Sequence, residues 1–153
     1  MATIHIGPDG LTAISTNSAG LGATGAILRI YKGAIIDVNN VNSTIGSRAS
    51  DLLLTFNVSS PSTSSGSYLD SGTTSARRRQ LYGTTSTETA ASGSGIASWF
   101  AYLVSSGTSV LFIGTVGPTG SSADLQIGTT EIVAGELYTS LGFLIDFPST
   151  YYF

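Results

Sequence analysis

The sequence predicts an all-β protein, a jelly-roll-like β-sandwich of short antiparallel strands behind a glycine-rich N-terminal arm. Three observations lead there. Runs rich in β-branched and aromatic residues recur at roughly the 8–12-residue spacing of sandwich strands. Turn formers separate them, with 19 glycines in 153 residues. Only 10% of the residues are charged, so serine and threonine hydroxyls must wet much of the outer face.

Residues 1–25 form the arm, read as extended chain or short edge strands, because Pro8 and five glycines interrupt it. Short runs follow at Ala26–Tyr31 and Ala34–Val38, with Gly33 as a break. Asn39–Arg48 reads as a polar turn. Asp51–Val58 is a strong strand whose continuous apolar run implies cover on both faces. Ser59–Ser67 (SSPSTSSGS) is low in complexity and reads as an exposed loop. Weaker strands are expected at 77–82 and 84–90.

The clearest hairpin joins Ile96–Val104 to Ser109–Val116 through Ser105-Ser-Gly-Thr108. Ile96, Trp99, Phe100 and Leu103 also satisfy helical spacing, but nine residues between glycines, rich in aromatics, favour a strand. Gly117–Gly120 is a turn. Short strands are expected at Asp124–Ile127 and Glu131–Val133, and a last apolar run covers Glu136–Phe147 before Pro148. With no linker in sight, residues 26–153 are expected to form one domain.

Composition narrows the function. A chain of this length buries roughly 68–70% of its unfolded surface, enough for a true core. The net charge of −3 and pI near 4.7 oppose nucleic-acid binding, which leaves a basic footprint. Absence of cysteine removes disulfides and thiolate zinc sites. No run approaches the ~18 apolar residues of a membrane span. The opening MATIHIGPDG has neither the basic nor the apolar region of a secretory signal, so synthesis in the cytoplasm without export is expected.

The reactive inventory is thin. Gly20-Leu-Gly-Ala-Thr-Gly25 matches a dinucleotide fingerprint, but that motif needs a helix after it to present amides to pyrophosphate. AILRIYK follows instead, a strand-like run. His5 is the single histidine and has no partner for a triad or zinc site in the pattern. Six Asp and three Glu are scattered singly, and nothing in their spacing suggests a calcium site or the carboxylate pair of a glycosidase. Trp99, Phe100, Tyr102 and Phe112 could stack on a sugar ring, though a hairpin this apolar reads first as core. No catalytic residue, metal ligand or cofactor is expected. Arg77-Arg78-Arg79 holds half of the positive charge and suits an acidic partner, a phosphate or plain solvent.

The order of segments resembles small virion proteins of tailed phages and prophages. The resemblance rests on Leu28–Gly33, Asp51–Phe56, the glycine-led aromatic run Gly95–Leu103, and Gly114-Thr-Val-Gly117. It continues through Ala123–Ile127 and Ile132–Glu136 to a final strand closing near Pro148. The N-terminus departs from it, being glycine-rich where the family often begins with a helix, as do the triple arginine and SSPSTSSGS.

The resemblance implies a capsid decoration (cement) protein of sandwich form, not an enzyme. It would sit on the outer capsid surface of the virion as a trimer and bind the major capsid protein. Contacts with the capsid or between subunits are expected from the arm (Ile4, Ile6, Leu11, Ile14), the basic run (Arg77, Arg78, Arg79) and the tail (Tyr151, Tyr152, Phe153). The competing expectation is a β-sandwich module on a tail fibre that binds a receptor or a host-surface glycan. A hydrolase ranks last.

Overall fold

The computed structural model describes residues 5–6, 25–37, 40–67, 77–85, 89–138 and 142–147. The protein is all-β. Its strands are β1 (His5–Ile6), β2 (Ile27–Lys32), β3 (Leu52–Ser67), β4 (Arg77–Thr85), β5 (Thr89–Ala90) and β6 (Gly95–Leu103). After them come β7 (Val110–Pro118), β8 (Leu125–Ile127), β9 (Glu131–Ile132), β10 (Leu137–Tyr138) and β11 (Gly142–Phe147). The main sheet follows the order β1-β7-β6-β2-β3-β4-β11, with β8 added to β7 and β9 to β6, while β5 and β10 pair separately. Every pairing is antiparallel except β7 with β8.

The centre is the expected hairpin. Trp99–Leu103 of β6 and all of β7 except Thr115 and Pro118 are buried, because the sheet is covered on both faces there. Gly107 lets the connection close at φ +70°, where its amide donates to the Val104 carbonyl at 2.8 Å. On one face Leu28, Ile30, Phe56, Phe100, Tyr102 and Phe112 form the larger core. Tyr102 stacks on Phe112 at 4.8 Å, and Phe100 meets Phe112 edge-on at 6.0 Å. On the other face Tyr31 and Trp99 stack at 4.2 Å among Ala101, Leu103, Val110 and Ile113. The Trp99 indole N–H donates to the Lys32 carbonyl, so its polar edge is satisfied in the interior.

This second face shows where the local reading differs from the fold. The described part of the short run Ala34–Val38 joins no strand ladder; Ile35 and Ile36 pack over Tyr31 and Trp99. Asn39–Arg48 is no simple turn. It enters a short helix (Val41–Thr44) and then a 3-10 helix (Ile45–Asp51). Val41 is buried and Ile45 partly so, completing the cover. Burial of those four aliphatic side chains outweighs local preference for an extended or solvated chain.

The larger correction concerns Ser59–Ser67. This stretch is not a loop but the second half of β3. Leu52–Asn57 pairs with β2, whereas Val58–Ser67 pairs with β4, on the other side. A register shift between Ser59 and Ser62 marks the change of partner. Pro61 falls inside that irregularity, where its missing N–H breaks no regular ladder. A strand that changes partners at a bulge turns a corner, and the path curls until β11 lies beside β8.

Candidate functional site

Most of the sequence-nominated contact residues have no described placement: Ile4, Leu11, Ile14, Tyr151, Tyr152 and Phe153 lie outside the described residues. Ile6 is an edge residue, its β1 backbone opposite Phe112 of β7, with His5 opposite Ile113. Arg77, Arg78 and Arg79 open β4, opposite Ser67, Gly66 and Ser65 of β3; Arg79 also faces Phe147 of β11. Of the described candidates, Ile6 lies on β1 and the three arginines on β4, which are not neighbours in the strand order.

Chemistry-bearing motifs find no supporting geometry. Gly25, the last glycine of the fingerprint, leads into strand β2 and not into a helix. The four aromatics that might hold a sugar are all buried core. Among the described residues no group of three or more His, Asp or Glu could hold a metal ion, and no helix is long and apolar enough to cross a membrane.

Two polar features belong to the framework. Asp124 Oδ2 accepts from both the amide and the hydroxyl of Thr115, each at 2.8 Å, and the Asp124 amide donates back to that hydroxyl. The carboxylate thus takes a strand's place on the outer side of β7, between the positions occupied by β1 and β8, and blunts that edge. Arg29 lies beside Tyr31. Burial raises the Tyr31 hydroxyl above its ordinary pKa, and the guanidinium partly offsets the rise. Arg29 Nε is buried without a hydrogen-bond partner among the described residues.

The surface that stands out is apolar. Ile96, Val133 and Leu137 are 59%, 43% and 65% exposed. Strand pairing brings the first two together. Ile96 lies opposite Glu131 in the β6–β9 ladder, which puts Val133 diagonally across from Ile96 within side-chain reach. Val133–Glu136 is a turn closed by the Glu136 amide on the Val133 carbonyl at 3.1 Å. Gly135 takes the left-handed position at φ +83°. Leu137 follows directly.

The turn is anchored from both sides. The Gly135 amide donates to the Ala91 carbonyl, and the Ala91 amide to that of Glu136. The Ala134 amide donates to Ser94 Oγ, and the Tyr138 hydroxyl accepts from the Val133 amide. Glu131 and Glu136 are exposed at the margin, and the Lys32 ammonium nearby donates to the Ser94 carbonyl. Exposed apolar side chains with carboxylates beside them are the kind of surface that proteins use for contacts with other macromolecules. Sequence reasoning assigned Glu131–Val133 to a strand without seeing the patch. The strict alternation of exposed Glu131, buried Ile132 and exposed Val133 was the available signal.

No protein-family model, curated protein or solved structure matches this chain.

Proposed function

We propose that this protein is a structural virion component of a tailed phage, a cement protein that decorates the outer capsid surface as a homotrimer. It would bind the major capsid protein and reinforce contacts between capsomers. One observation carries the reading. Every segment on which the resemblance rests falls, in order, on the connected strands β2, β3, β6, β7, β8, β9 and β11 or on the turn after β9. A central hairpin covered on both faces is a stiff body, and exposed apolar side chains give it something to bind with. The mechanism is linkage: a protein that binds only the assembled shell adds its binding free energy to that shell's stability. About 800 Å² of contact per partner suffices for a specific interface, and many copies make the gain collective.

The test is quantitative composition of purified particles, together with re-addition of the protein to undecorated capsids. A copy number matching the capsomers, and capsids that resist higher temperature once decorated, support the reading. A handful of copies at the tail, absence from particles, or unchanged capsid disruption would overturn it.

A further inference from the structure

We propose that Arg29 of β2 is the centre of an oxyanion-binding site at the tip of the β6–β7 hairpin, where it takes a carboxylate or phosphate group. The inference goes beyond capsid decoration and does not depend on it, since the site is built within one subunit.

Three observations converge. First, the guanidinium is set into an uncharged part of the sheet. Its neighbours on the two flanking strands are Ala101 and Thr55 opposite, with Trp99, Leu103 and Asn57 diagonal. None of them is a carboxylate. The Tyr31 hydroxyl hydrogen-bonds with the guanidinium, yet burial keeps it a neutral phenol. These groups therefore supply no counter-charge, which a partly buried cation needs. Second, Arg29 Nε is buried and has no hydrogen-bond partner among the described residues. An orphaned donor costs more on a cation than on a neutral group, and a bound ion is one of the few things that satisfies it.

Third, the right edge of the guanidinium faces the tip. Arg29 Nη2 approaches Gly107, where a Cβ would stand 3.4 Å away. Nε and Nη2 share one edge, and a planar fork of this kind takes an oxyanion through two parallel bonds. On either side of Gly107 the exposed hydroxyls of Ser106 and Thr108 lie 2.7 Å apart. One ligand oxygen meets Nη2 beside Gly107. The other reaches Nε as the connection, exposed at Ser105, Ser106 and Thr108, gives way.

The experiment follows the arginine Nε–H groups of the full chain by ¹⁵N–¹H correlation spectroscopy. Inorganic phosphate or acetate replaces chloride at constant ionic strength. The Arg29 signal is assigned through its own side-chain carbons, so the titration stands whether or not any variant folds. It should shift and saturate with a dissociation constant of about 1–10 mM, while the signal of Arg48, already paired with Asp51, stays in place. At ten times that constant the anion should raise the folding equilibrium constant about tenfold. Arg29→Lys, which keeps the charge but loses the edge, should lose this gain, and general salt effects act on both proteins alike. Sedimentation equilibrium separates the sources of the group. Self-association that acetate reverses identifies a carboxylate of a second copy, and a monomer that responds to phosphate identifies a free ion. An Arg29 Nε–H signal unmoved by either anion up to about 100 mM, or a folded Arg29→Lys that gains as much as the wild type, would overturn the proposal.

Discussion

Gly114→Ala tests the tightest point of the core. Gly114 lies opposite Phe100 in the β6–β7 ladder. A methyl group there would stand 2.7 Å and 2.9 Å from Cε1 and Cζ of Phe100 and 3.0 Å from Asp124 Oδ2. Phe100 cannot swing away, being fully buried and held edge-on against Phe112. Two effects compete. Replacing a strand glycine by alanine reduces the freedom of the unfolded chain and would stabilise a roomy site by about 0.4–1 kcal/mol. Forcing a methyl into a packed core costs about 1–3 kcal/mol. Contacts shorter than 3.0 Å to a fixed ring put the steric term ahead, so the expected result is a net loss of about 1–2 kcal/mol.

The assay is urea unfolding followed by the fluorescence of Trp99, the one tryptophan, which is buried and stacked on Tyr31. The midpoint should fall with an unchanged slope. Trimming the ring should relieve the clash, so Phe100→Leu should cost less in the Gly114→Ala background than alone, by about 1 kcal/mol of coupling. An alanine variant as stable as the wild type, or more stable, would refute the packing argument.

Two further perturbations probe the edge and the interior. Asp124→Ala strips the Thr115 amide and hydroxyl of their acceptor, with an expected cost of about 1–3 kcal/mol. Faster hydrogen exchange at the Thr115 amide would accompany it, and Asp124→Asn, which keeps an acceptor oxygen, should lose less; an unchanged exchange rate would refute the staple. Burial raises the Tyr102 hydroxyl above its ordinary pKa of 10.0. Below that value both folded and unfolded chains keep the proton. Above it the unfolded chain ionises first, so stability falls as the pH rises. Tyr102→Phe should make that fall shallower in alkaline urea titrations, and identical slopes in both proteins would sink the argument.

The legible parts of the fold are those whose pattern reports their own surroundings. The aromatic and β-branched runs of β6 and β7 are apolar on both faces because both faces are covered, and Gly107 marks their turn. The missed parts depend on a distant partner. Ser59–Ser67 carries no apolar signal and contains Pro61, and only pairing with β4 makes it a strand. Ile35, Ile36 and Val41 are apolar enough for a strand, yet their role is to roof the Tyr31–Trp99 stack. The candidate site was read less well. Termini and charge runs are visible in one dimension, whereas Ile96 and Val133 become neighbours only through the β6–β9 ladder.

The polar second half of β3 has a bearing on how safely the protein can open. Should the β4–β11 pair peel away, the bare backbone it uncovers belongs to a stretch of serine, threonine and glycine interrupted by a proline. Such a template recruits other chains poorly, since it offers neither dry side-chain zippers nor an unbroken row of donors. The apolar β6 and β7 stay locked in the centre meanwhile, so the flank left on the body is a poor template, and the apolar strand that leaves with β4 is β11 alone.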